Sequence, residues 1–95
     1  MSEHTKTLAA AIRMMSDAGT WWIKIHGTPY GRRGVPDLLI CRNGRFIAAE
    51  IKPKREKPTR LQMIEIDRIQ AAGGRAAVVR SGAEMAMLLE GDTPA

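Results

Sequence analysis

The sequence predicts a small α/β sandwich with the element order α-β-β-β-α-β-α. Three observations lead there: an Ala-rich opening segment with helical spacing, a pair of apolar runs joined by Asn43-Gly44, and two later helical stretches separated by a short β-prone run. Each contrasts the 3.6-residue repeat of a helix with the two-residue repeat of a strand.

Leu8, Ile12 and Met15 recur at helical spacing, and Gly19 supplies the stop. From Trp21 to His26, Trp21, Ile23 and Ile25 alternate with Trp22, Lys24 and His26, which is a strand pattern. Gly27 to Gly34 holds three glycines, a proline and two arginines and reads as a basic loop. Asp37 to Cys41 and Arg45 to Ile51 form a hairpin, because Asn43 and Gly44 both tolerate the positive φ of a type I′ turn. Pro53 to Pro58 is a charged loop. Thr59 opens a helix to about Ala72, ended by Gly73-Gly74. Arg75 to Arg80 gives a short strand, and Ser81 caps a final helix through about Glu90. One domain is expected over residues 1–91, with a disordered tail at 92–95.

The chain has 95 residues, with 15 Lys and Arg against 10 Asp and Glu, a net charge of +5. A chain this short buries only about 60–65% of the surface it exposes when unfolded, so its core is modest. The basic excess suits a polyanionic partner such as nucleic acid. The single cysteine, Cys41, rules out an intrachain disulfide framework and fits a reducing, cytoplasmic compartment. No apolar run approaches the length of a membrane span, and the N-terminus lacks the pattern of a secretory signal.

The turn fixes the hairpin register. With Asn43-Gly44 as the two-residue loop, Arg42 pairs with Arg45, Cys41 with Phe46, Leu39 with Ala48, and Asp37 with Glu50. Lys52, two residues beyond Glu50, falls on the same face. Leu38, Ile40, Ile47, Ala49 and Ile51 point the other way as a continuous apolar layer. Two opposed carboxylates repel by roughly 3 kcal/mol at an effective dielectric near 20. A divalent cation with oxygen ligands, Mg²⁺ or Mn²⁺, is the natural occupant of the space between them. Such an ion acidifies a bound water and stabilises charge on a phosphoryl oxygen, while Lys52 is placed to steady the reacting groups. A salt-bridged surface triad of Asp37, Glu50 and Lys52 is the alternative reading.

Pro36-Asp37, a spacer and Glu50-Ile51-Lys52 resemble the PD-(D/E)XK nuclease signature. The wider string Gly34-Val35-Pro36-Asp37-Leu38-Leu39, followed by Glu50-Ile51-Lys52 and Gln62, resembles the VRR-Nuc branch of that superfamily over roughly Glu3 to Ser81. The resemblance implies a restriction-endonuclease-like αβββαβ(α) core with a mixed sheet flanked by helices. It implies metal ligands at Asp37, Glu50 and the Ile51 carbonyl, a catalytic lysine at Lys52, and a glutamine bordering the site at Gln62. Glu3 is the candidate for the acidic residue that the first helix often adds to the family site. The implied reaction is metal-dependent hydrolysis of DNA phosphodiesters, leaving 5′-phosphate and 3′-hydroxyl ends. Stand-alone relatives, common in bacteria and their phages, look suited to branched DNA such as a four-way (Holliday) junction. A homodimer with two active sites fits symmetric incision. A non-catalytic nucleic-acid-binding module and a phage assembly subunit are the rival classes.

Gln62 has a second possible role, since Thr59-x-x-Gln62 is a capping box. Arg32 and Arg33 in the loop, Lys24 at the strand end, and Lys54, Arg55, Lys57 and Arg60 beside the hairpin are the candidate phosphate contacts. Met63 and Ile66 lie away from the face marked by Leu61, Ile64 and Ala72, so they are the expected homodimer contacts; a broad core face with Met63 exposed is the alternative reading.

Overall fold

A computed structural model describes residues 1–27 and 31–91. The expected tail at 92–95, and residues 28–30 of the expected Gly27–Gly34 loop, lie outside the described residues. The elements run α1 (Glu3–Arg13), β1 (Thr20–Lys24), β2 (Leu38–Arg42), β3 (Arg45–Ile51), α2 (Arg60–Ala71), β4 (Arg75–Val79) and α3 (Gly82–Glu90), the order expected from the sequence.

Local chemistry sets the boundaries. Ser2, Thr59 and Ser81 each cap a helix by accepting the N–H of the residue three positions on. Gly91, at φ +99°, closes α3 in the left-handed conformation.

The four strands form one sheet in the order β1-β2-β3-β4. The first three are antiparallel neighbours, and β4 returns parallel to β3 through α2, so the sheet is mixed. The helices lie on both faces. Ala11 and Met15 from the α1 side and Met85, Leu88 and Leu89 from α3 pack on Leu38, Ile40, Ile47, Ala49, Ile51 and Val79. On the other face Ile66 and Ile69 of α2 pack on Ala48, Ala76, Leu39 and Val78. Alternation along β3 thus divides its residues between two cores.

The dimer contacts expected from α2 need correction. Ile66 is only 3% exposed and belongs to the second core, whereas Met63 is 40% exposed. Ile66 lies over the small side chains of Ala48 and Ala76, and that packing leaves it no surface for a second chain. Leu61, placed by periodicity on a buried side, is exposed.

Candidate active site

The site grows out of the hairpin turn. Asn43 and Gly44 have φ of 53° and 74°, as the two-residue turn requires, and the register runs Arg42↔Arg45 through Leu38↔Ala49. In this ladder Arg42–Arg45, Ile40–Ile47 and Leu38–Ala49 are the hydrogen-bonded pairs. One step outward, Asp37 meets Glu50 at a non-hydrogen-bonded position, where opposed side chains come closest. Asp37 is held in the sheet from its other side, because its carbonyl accepts the Ile25 N–H at 2.7 Å.

One step further Pro36 falls opposite Ile51, and proline has no N–H to give. The Ile51 carbonyl therefore gets no ladder donor from that position. The Ile51 N–H donates to Asp37 Oδ2 at 2.8 Å. The Pro-Asp dipeptide opens the ladder beside Glu50 and replaces one backbone bond with a side-chain carboxylate.

Glu50 is 3% exposed, and its Oε1 is buried with no hydrogen-bond partner among the described residues. Burial is the main cause that pushes its carboxyl up to about 8. The Asp37 carboxylate beside it adds to the rise, and Lys52 works against it. A buried, orphaned carboxylate oxygen next to a second carboxylate is the environment a cation relieves. Among the described residues no three His, Cys, Asp or Glu side chains converge as a metal-binding group. Two carboxylates and the Ile51 carbonyl are the groups that could hold a cation here, a set of hard oxygen donors of the kind Mg²⁺ takes alongside water. Lys52 is also buried; its backbone N–H bonds Val79 at 3.0 Å and its Nζ lies 3.5 Å from Glu56 Oε1.

Other candidates fall differently. The Glu3 side chain is 75% exposed and pairs with Lys6 at 3.6 Å. The α1 residue that reaches Asp37 is His4, whose Nε2 lies 3.7 Å from Oδ2. Only the docking of α1 beside the end of the sheet brings His4 there, and no spacing in the sequence signals it. Gln62 completes the capping box: its Oε1 accepts the Thr59 N–H at 2.8 Å, and its own N–H donates to Thr59 Oγ1 at 3.2 Å. The capping role is therefore realised, with the Gln62 oxygen committed to it.

A cleft of about 340 Å³ adjoins Asp37, walled by His26, Arg32, Arg33 and the backbone of Gly31 and Gly34. Arg32, a candidate phosphate contact, pairs with buried Glu65 of α2 through Nε and Nη2 while its side chain stays largely exposed. Arg33, like Arg32, is exposed at this cleft, and Lys54, Arg55, Lys57 and Arg60 are exposed in the segment that follows Lys52. Lys24 pairs with Leu38, which assigns it to the α1–α3 face, opposite that of Asp37 and Glu50.

The frame and its carboxylate-lysine cluster define a PD-(D/E)XK-type domain. A solved structure described as "VRR_NUC domain" superimposes with a TM-score of 0.79 at 26% identity, over 96% of this chain and 98% of that one. The chain is also 44% identical, over 64 residues, to "Putative nuclease p44" of Acyrthosiphon pisum secondary endosymbiont phage 1, a match spanning 61% of this chain and 69% of the relative. No family model matches the sequence. The chain belongs to the VRR-Nuc family.

Proposed function

We propose that the protein is a metal-dependent DNA endonuclease of the cytoplasm, acting on branched, Holliday junction-like DNA as a homodimer. The observation that carries this reading is the buried, unpartnered Glu50 Oε1 beside Asp37 and Lys52. Asp37, Glu50 and the Ile51 carbonyl would hold Mg²⁺ or Mn²⁺. When bound, the ion would acidify the attacking water and offset charge on the phosphoryl oxygen.

The chain's own residues supply the rest. Lys52, held with its ammonium in a largely buried position, orients the water and stabilises negative charge as the phosphodiester breaks. Asp37 keeps the open end of the ladder in place through Ile51. Arg33, Lys54, Arg55, Lys57 and Arg60 offer cations to successive backbone phosphates. Glu3 is left out of the ligand set because its carboxylate is turned to Lys6; His4 is the α1 side chain bordering Asp37. Family resemblance and the two-site logic of a two-fold dimer support the branched substrate.

The test is incubation of labelled linear, flap and four-way DNA with Mg²⁺, Mn²⁺ or EDTA. Cleavage that needs the metal, is strongest on the four-way DNA and disappears in Asp37→Asn is the expected result. DNA binding with no cleavage in either metal would instead identify a binding module.

A further inference from the structure

Glu65 is 5% exposed, a rare position for a carboxylate on a helix flank. Both its oxygens are engaged by one guanidinium: Arg32 Nε lies 2.8 Å from Oε1, and Nη2 donates to Oε2 at 2.9 Å. Arg68 Nη1 stands further off, 3.8 Å from Oε1. A forked pair of this kind has a fixed geometry that a lysine cannot reproduce. Leaving the buried carboxylate unpaired is costly, so Nε and Nη2 of Arg32 are committed to Glu65 even though the side chain is 69% exposed, and Arg32 cannot swing away to follow a phosphate without that cost.

A second, independent contact lies two residues along the chain. Gly34 has φ +86°, and a Cβ placed there would sit 2.6 Å from the Leu61 carbonyl oxygen. The segment therefore touches α2 backbone to backbone, with room only for glycine. Leu61 and Glu65 are one helical turn apart, and Arg32 and Gly34 flank Arg33. The two contacts pin the segment along one flank of α2. Arg33, between them, is exposed and lines the cleft that Asp37 also borders.

We propose that Arg32 and Glu65 form a latch positioning the segment 31–35 against α2, so that Arg33 rather than Arg32 meets a DNA phosphate beside Asp37. Arg32 and Glu65 are positioning residues. The assignment of Arg33 rests on the nuclease reading given above; the latch itself does not.

Two measurements test the proposal separately. Without DNA, amide hydrogen exchange of residues 31–35 should quicken about tenfold in Arg32→Ala and equally in Glu65→Gln, with no further gain in the double variant. It should keep the parent's rate in Arg33→Ala. Arg32→Lys should behave like Arg32→Ala, and the swap R32E/E65R should recover protection even if a single variant folds poorly. With DNA, Arg33→Ala should raise KM about tenfold and lower the salt slope of binding by about one. Glu65→Gln should weaken DNA binding in the same direction, with no further loss when combined with Arg33→Ala.

Unchanged exchange in both Arg32→Ala and Glu65→Gln would overturn the latch. A Glu65→Gln protein that binds DNA more tightly while Arg32→Ala binds it less would make Arg32 the phosphate contact and would also overturn it. A parent that cuts no DNA, yet shows the exchange pattern, would remove the nuclease reading and leave the latch standing.

Discussion

Asp37 Oδ2 accepts the Ile51 N–H at 2.8 Å, so the first carboxylate of the site also terminates the β2–β3 ladder. The same residue is thus structural on one oxygen and open to chemistry beside Glu50. Pro36, with no N–H, leaves the Ile51 carbonyl without a ladder donor, and the Ile51 N–H goes to the Asp37 carboxylate rather than to a β2 carbonyl, so regular pairing ends at that point.

The two duties separate by substitution. Asp37→Asn keeps an oxygen to accept the Ile51 N–H but removes the charge, whereas Asp37→Ala removes both. The Asn variant should melt close to the parent, and the Ala variant should lose about 1–2 kcal/mol. Cleavage should fall by roughly 10²-fold or more in both. Denaturant titration and single-turnover cleavage check the pair; equal stability of both variants would show that the ladder bond contributes nothing.

Glu50 gives a pH dependence whose sign follows from its surroundings. Its carboxyl rises from 4.5 to about 8 through burial first and the neighbouring Asp37 second. A carboxyl raised on folding favours the folded state below its unfolded value, and that contribution is lost as pH climbs through the folded value. Without metal, the protein should therefore lose stability between about pH 4.5 and 8. Glu50→Gln should flatten that part of the curve, and Mg²⁺ should restore more stability at pH 8.5 than at pH 5. Thermal melts across this range, with EDTA or Mg²⁺, provide the measurement. An identical pH profile for parent and Glu50→Gln would remove the electrostatic account of the site.

The hairpin site was legible in the sequence because its information is local: a two-residue turn and a period of two carry the register from Asn43 out to Asp37 and Glu50. The helices were legible for similar reasons, through caps at Thr59 and Ser81. The partner of Arg32 was not, because Glu65 lies 33 residues away and only the seating of α2 brings them together. His4 was missed for the same reason: its approach to Asp37 depends on where α1 docks. Whether Ile66 faces the core or a second chain is not decided by the sequence, because α2 reaches the sheet through the small side chains of Ala48 and Ala76. A helical wheel does not contain the shape of the opposing surface.

Arg55, in the loop that follows Lys52, holds φ at +77°. A non-glycine residue in that region carries about 1 kcal/mol of backbone strain, which is most easily justified by what its side chain does. Arg55→Gly should stabilise the protein by up to about 1 kcal/mol less the entropy glycine adds to the unfolded chain, while weakening DNA binding. Arg55→Ala should lose the same DNA affinity without the gain in stability. Equilibrium unfolding and fluorescence anisotropy would show whether the two effects separate; unchanged DNA affinity in both variants removes Arg55 from the interface.

The loop after Lys52 has its own arginine clamp, the counterpart of Arg32 on the other side of the site. Arg80 Nη1 donates to the Pro53 carbonyl at 2.9 Å and to the Glu56 carbonyl at 2.7 Å, while its backbone N–H donates to Glu84 Oε1 at 2.9 Å. Both carbonyls belong to the turn that carries Glu56 against Lys52 and presents Lys54 and Arg55 to solvent. Arg80→Ala removes two charge-assisted hydrogen bonds and should cost about 2 kcal/mol. Cleavage should also slow by roughly tenfold at temperatures well below melting, because the lysine and its neighbours lose their fixed positions. Both bonds come from the single nitrogen Nη1, so Arg80→Lys, which keeps the charge and a multiple donor on a shorter side chain, should fall between the parent and Arg80→Ala. Stability measured beside single-turnover rates decides the matter: a stability loss with the cleavage rate unchanged would confine Arg80 to folding, whereas a drop in both ties the clamp to the reaction centre.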